Sequence, residues 1–208
     1  DAVIFDLDGV ITRTAGLHAR AWKQVFDAYL QRRSAQLGES FLPFDQRADY
    51  LEYVDGKPRY DGVRSFLAAR GIVLPEGEPD DPPYAETVCG IGNRKNERFH
   101  ELLQREGAEV FEHGVDLVRR ARKAGLRTAV VSSSRNCVPV LESVGAMDLF
   151  DAKVDGNDSE DRQLSGKPAP DIFLAAAAAV QAEPDRAVVI EDARAGVAAG
   201  RSGGFALV

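Results

Sequence analysis

Apolar positions along the chain follow two rhythms. Ala2-Val3-Ile4-Phe5 is a continuous apolar run, the pattern of a strand buried on both faces of a parallel sheet, and it stops at Asp6-Leu7-Asp8-Gly9. From residue 14 to 31 the rhythm is helical, with Leu17, Ala21, Trp22, Val25, Phe26 and Tyr29 on one stripe. Residues 32–58 are polar and broken, apart from a short helical pattern between Ala48 and Val54. A helix is expected from Asp61 to Arg70, ended by Gly71. Residues 75–83, Pro-Glu-Gly-Glu-Pro-Asp-Asp-Pro-Pro, predict a mobile acidic loop, and Tyr84 to Arg105 a long helix. Nothing between residues 14 and 108 reads as a strand.

After Gly107 the rhythms alternate. Helices are expected over 113–124, 138–144, 170–180 and 193–199, and strands over 126–131, 150–154, 187–190 and 205–208, with a polar loop at 155–166. This order predicts the α/β class: a doubly wound parallel sheet interrupted by a helical insertion. The boundaries are a core of residues 1–13 and 109–208 and an α-helical cap of residues 14–108. Because both ends fall within strand-like runs, further residues are expected on either side.

Composition changes this picture little. The chain has 208 residues, 44% of them hydrophobic, and a formal net charge of −7. That charge argues against nucleic acid or an anionic membrane as partner, although a local cation or metal could still hold an anionic small molecule. Cys89 and Cys137 have no metal-ligand spacing and read as free thiols in a reducing cytosol. No stretch approaches the roughly 18 apolar residues of a membrane span. A cytoplasmic monomer is expected.

The candidate chemistry lies at strand ends. Asp6 and Asp8, two apart in an extended segment, project to one side, and Gly9 allows a sharp turn beside a ligand. The carboxyl ends of strands are where open α/β sheets bind ligands. Ser132 with Ser134, Arg135 and Asn136, then Lys167, then Glu191 and Asp192 follow at or after later strand ends.

These four groups, in this order, resemble the four motifs of the haloacid dehalogenase superfamily of phosphotransferases, across essentially the whole chain. The resemblance implies that Asp6 is a nucleophile forming an aspartyl-phosphate and Asp8 the general acid and base. It implies that Ser132 and Lys167 hold the phosphoryl oxygens. Mg²⁺ would bind Asp6, the backbone carbonyl of Asp8, and Asp192, with Glu191 beside it. Such roles are physically coherent, since a carboxylate attacking a phosphate needs cations to offset like-charge repulsion.

A finer resemblance is to the β-phosphoglucomutase-like subgroup, carried by Asp6 to Trp22, Ser132 to Asn136 and Gly166 to Phe173. It implies a small phosphorylated sugar as partner: β-glucose 1-phosphate converted to glucose 6-phosphate through a bisphosphate. By it His18 couples cap movement to Asp8, Gly56 and Lys95 meet the substrate, and Arg59 grips the distal phosphate. Ser134, Arg135 and Asn136 would line the sugar and its second phosphate. The chain departs from the subgroup at Arg13, where Asp is usual, and at Asp55, where a lysine usually precedes the glycine. Segments 32–50 and 75–83 are also longer. The alternative is a phosphatase acting on a small phosphorylated sugar or polyol with the same four motifs.

Overall fold

In the computed structural model, which describes residues 1–208, strand β1 (Ala2–Asp6) is central and buried throughout its length. It pairs in parallel with β2 (Arg127–Val131) on one side and β4 (Ala187–Ile190) on the other, and β3 (Ala152–Val154) extends the sheet beyond β2. The order is β3-β2-β1-β4. The chain therefore winds outward from β1 to β3 and returns to the far side of β1, which makes the carboxyl end of β1 the switch point of a doubly wound sheet. Asp6 lies opposite Val131 in this register, so the polar groups after β1 and β2 begin at one level.

Helices α4 (Glu112–Lys123), α5 (Cys137–Ser143), α6 (Gly156–Asp161), α7 (Asp171–Ala179) and α8 (Arg194–Ser202) belong to this unit. Alanines on α7 let it lie close to the sheet: Phe173, Ala176 and Ala177 share a core with Ile4, Val131 and Val189. Pro170 caps α7 rather than occupying its first turn.

Two expectations change here. The expected loop 155–166 contains α6, nucleated by a reciprocal capping box in which Asp155 accepts from the Asn157 and Asp158 amides. The expected final strand is reduced to a bridge between Val188 and Leu207, where the Val189 amide donates to the Leu207 carbonyl and the Ala206 amide to that of Ala187.

The unit comprises Asp1–Thr14, Gly56–Pro58 and Ala108–Val208; a second comprises Ala15–Asp55 and Arg59–Gly107. The second is helical: α1 (Ala15–Leu37), a single π-helical turn (Tyr50–Val54), α2 (Arg59–Ala69) and α3 (Val88–Glu106). An aromatic core of Trp22, Phe26, Phe44 and Phe66 joins these elements, with the Phe26 and Phe66 rings 4.2 Å apart. Helix α1 runs six residues beyond its expected end, since Gln31 to Leu37 are mostly good helix formers, and Gly38 follows at φ 67°. Helix α3 starts later than expected because Thr87 caps it, accepting from the Gly90 amide.

The acidic loop at 75–83 is not loose. Its carbonyls at Pro75 and Glu76 accept from the Val88 and Cys89 amides, and Glu76 pairs with Arg64 through two hydrogen bonds of 3.1 and 2.6 Å. Composition pointed to mobility; side chains from α2 and α3 supply the anchoring.

Candidate active site

The turn after β1 builds the site. Both the Ile11 and Thr12 amides donate to the Leu7 carbonyl, and the Gly9 amide donates to that of Thr12. Gly9 sits at φ 102°, and a Cβ there would overlap the Asp192 carboxylate, so the position demands glycine on two counts. Gly196 serves similarly on α8, where a side chain would overlap the Glu191 carboxylate.

Lys167 is 3% exposed and lies between two carboxylates: its Nζ is 2.5 Å from Asp6 Oδ1 and 2.6 Å from Glu191 Oε2. The Phe173 ring lies 4.9 Å from the same ammonium. The other oxygen of Glu191 accepts from the Ala193 amide. Burial pushes the Asp6 carboxyl well above the usual carboxylate range, Glu191 adds to the rise, and Lys167 opposes it. Burial also works to lower the Lys167 pKa, but the charges of Asp6 and Glu191 outweigh it and raise it.

Oxygen atoms of Asp6, Glu191 and Asp192 come within 4.8 Å of one another. One lysine does not balance these three carboxylates, and the donor set is hard oxygen throughout. Both facts suit a divalent cation of the Mg²⁺ or Ca²⁺ kind.

Asp8 is held differently. Its Oδ2 accepts from Ser132 Oγ at 3.0 Å and its Oδ1 from the Thr14 hydroxyl, which lies 2.7 Å from that of Thr12. Sequence reasoning missed Thr12 and Thr14, although their i, i+2 spacing directly after the Asp-x-Asp-Gly turn was available as a signal.

The loop after β2 is tied by its own side chains. The Ser134 amide donates to Ser132 Oγ and the Asn136 amide to Ser134 Oγ, both at 3.1 Å. From the β3–α6 side, the Gly156 amide donates to the Ser134 carbonyl and Asn157 Nδ2 to that of Arg135. Arg135 pairs with Glu160 at 2.8 Å. Gly56, at φ 71°, belongs to this unit, and its carbonyl accepts from Ser133 Oγ at 2.8 Å.

The helical unit holds the remaining predicted residues. His18, near the start of α1, is buried. Its ring stacks on Phe99 with centroids 4.0 Å apart, and its Nδ1 lies 2.6 Å from Lys95 Nζ. With the ammonium donating, the neutral imidazole carries its proton on Nε2. Arg59 opens α2 with its guanidinium 4.9 Å from the Tyr60 ring. Both cysteines are buried free thiols, and burial raises both pKa values, so neither is an activated nucleophile. Arg13 lies over the Phe111 ring.

A parallel sheet with an acidic switch point, a buried lysine and a second carboxylate on hydroxyls defines a phosphotransferase-type enzyme. The chain belongs to the haloacid dehalogenase-like hydrolase family, which it matches over residues 1–204. It is 54% identical over 207 residues to a protein named β-phosphoglucomutase from Mycobacterium bovis, across 100% of this chain and 79% of that one. Among solved structures, β-phosphoglucomutase from Clostridium difficile matches with a TM-score of 0.74 at 25% identity, over 99% of this chain and 82% of that one. A mutant of CbbY from Rhodobacter sphaeroides, in complex with xylulose-(1,5)bisphosphate, matches with a TM-score of 0.71 at 26% identity, over 99% and 84%. No helix is long and apolar enough to cross a membrane.

Proposed function

We propose that this chain is a sugar-phosphate mutase that converts β-glucose 1-phosphate to glucose 6-phosphate through an aspartyl-phosphate at Asp6 and a bisphosphate intermediate. The observation that carries the mechanism is the placement of its two carboxylates: Asp6 meets the Lys167 ammonium, and Asp8 accepts from the Thr14 and Ser132 hydroxyls. The first environment suits a nucleophile, the second a group that exchanges a proton. The full-length likeness to proteins named β-phosphoglucomutase supports a sugar as acceptor.

An Asp6 oxygen attacks phosphorus, the bond from phosphorus to the sugar oxygen breaks, and Asp8 donates a proton to that oxygen. In the return step Asp8 takes the proton of the accepting hydroxyl as it attacks the aspartyl-phosphate. Lys167 offsets charge on the phosphoryl oxygens and Ser132 donates to one of them. Asp6, Asp192 and the Asp8 carbonyl would hold Mg²⁺, with Glu191 beside them. When bound, Mg²⁺ neutralises charge on the transferring group. A second phosphate needs further cations, and Arg135 and Arg59 are proposed for it, guanidinium being suited to bidentate phosphate contacts.

Hydrolysis is the second reading, favoured by the family's description as hydrolases. Water would replace the sugar hydroxyl as acceptor. The deciding experiment incubates the protein and Mg²⁺ with β-glucose 1-phosphate, with and without glucose 1,6-bisphosphate, following glucose 6-phosphate and free phosphate together. Primed isomerisation with little phosphate release is expected; steady phosphate release without isomerisation would make the chain a phosphatase. Asp6→Asn should lower either activity by at least about a thousandfold, and retained turnover would remove Asp6 as nucleophile.

A further inference from the structure

Three features of the helical unit converge on Arg59. Its guanidinium donates to Tyr60 Oη at 3.1 Å and lies against that residue's ring. Tyr60 Oη donates in turn to Asn93 Oδ1 at 2.9 Å. Asn93 spends both amide hydrogens on the acidic loop, donating to the Pro79 carbonyl at 3.0 Å and the Asp81 carbonyl at 2.8 Å. The orientation of the Asn93 amide is thereby set from both ends: carbonyl oxygen to Tyr60, nitrogen to the loop.

The loop is itself fastened. Asp81 accepts from Thr87 Oγ1 at 2.6 Å, the Pro83 carbonyl accepts from Arg94 Nε at 2.5 Å, and Glu76 pairs with Arg64. Gly92 completes the cradle. A Cβ there would lie 2.7 Å from Tyr60 Cδ1 and 3.2 Å from Arg59 Cγ, so the absent side chain is what lets both residues lie flat on α3.

We infer that Tyr60 and Asn93 are positioning residues for Arg59, and that loop 75–83 is the strap that holds them. The inference rests on the proposal that Arg59 takes the second phosphate of the bisphosphate. A long flexible arginine held in place before the ligand arrives loses less freedom on binding, so the strap raises affinity for the doubly phosphorylated sugar. It should have little influence on a donor with a single phosphate.

The test uses the full chain with Mg²⁺ and four variants: Asn93→Asp, Tyr60→Phe, Arg59→Ala and the double variant Arg59→Ala with Asn93→Asp. Asn93→Asp keeps the acceptor for Tyr60 but turns a carboxylate oxygen toward two carbonyls. Tyr60→Phe keeps the ring and removes the hydroxyl, and serves where the first variant folds poorly. Two readouts are taken: phosphorylation of the protein by acetyl phosphate, followed by mass, and the KM and kcat of turnover primed with glucose 1,6-bisphosphate.

Asn93→Asp and Tyr60→Phe should each raise the KM for the bisphosphate by about tenfold with kcat changed by less than about twofold. Phosphorylation by acetyl phosphate should match the parent. The double variant should lose no more than Arg59→Ala alone, since a residue acting only through Arg59 has nothing left to position. A KM that rises for Arg59→Ala but not for the other two overturns the inference and leaves the proposed function standing. A KM unmoved by Arg59→Ala removes Arg59 from the second phosphate, and the inference with it. Parallel loss in the acetyl phosphate readout would mark a general structural role and overturn it too.

Discussion

Each unit of this protein buries a lysine, and the two have different neighbours. Lys167, in the α/β unit, sits between the carboxylates of Asp6 and Glu191. Lys95, in the helical unit, sits 5.1 and 5.2 Å from the rings of Trp22 and Phe99, with the His18 imidazole nitrogen at 2.6 Å. Both are nearly inaccessible, at 3% and 5% exposure. The first is compensated charge by charge, so removing the lysine strands two anions. The second has two aromatic faces and an imidazole nitrogen among its neighbours, so removing it costs that hydrogen bond and the ring contact. Burial alone does not say what a lysine is for; what surrounds it does.

The largest test of this contrast is Lys167→Met. It leaves Asp6 and Glu191 buried together without their shared cation and should cost about 3–5 kcal/mol of stability, read from urea unfolding. Added Mg²⁺ should recover part of that loss, because a divalent cation meets the same carboxylates. Lys95→Met should cost less, about 1–2 kcal/mol, with no recovery from Mg²⁺. Equal costs for the two variants would break the comparison.

A carboxylate just before β3 sharpens it from the other side. Asp151 accepts from the Thr128 amide at 2.8 Å and faces Arg122 at 3.2 Å. The Thr128 hydrogen bond holds its carboxyl below the usual range, against the effect of burial and with help from Arg122. A depressed folded-state pKa means that the stabilisation is present above the ordinary carboxylate value and lost as pH falls through the folded one. Asp151→Ala should cost about 1 kcal/mol near neutrality, with the difference from the parent shrinking in acid; urea titrations at two pH values measure it.

The strand-end groups were legible because local spacing alone sets them. Asp6 closes β1 with Asp8 two residues on, and β4 ends at Ile190, directly before Glu191 and Asp192. What escaped the sequence is which side chains the fold brings together. Thr14 matters because Asp8, six positions earlier, accepts from its hydroxyl, and Lys95, though named from the sequence, was not tied to His18, 77 positions away. Loop 75–83 has the composition of a mobile segment, and nothing local reveals that Asn93 and Thr87, on and beside a later helix, fasten it. Helix α6 hid for a related reason: six residues with no apolar stripe, standing on the Asp155 cap.

The two glycines packed against carboxylates have a consequence for descent. At Gly9 and Gly196 the space that a methyl group would fill is occupied by Asp192 and Glu191. Substitution at either glycine would be purged for as long as its acid is kept, however mild it looked on a substitution matrix. A lineage that shortened Glu191 would release position 196 to drift. Among divergent copies of this gene, the two positions should therefore change together or not at all, and an alanine at 196 would be an inherited mark of a lost acid.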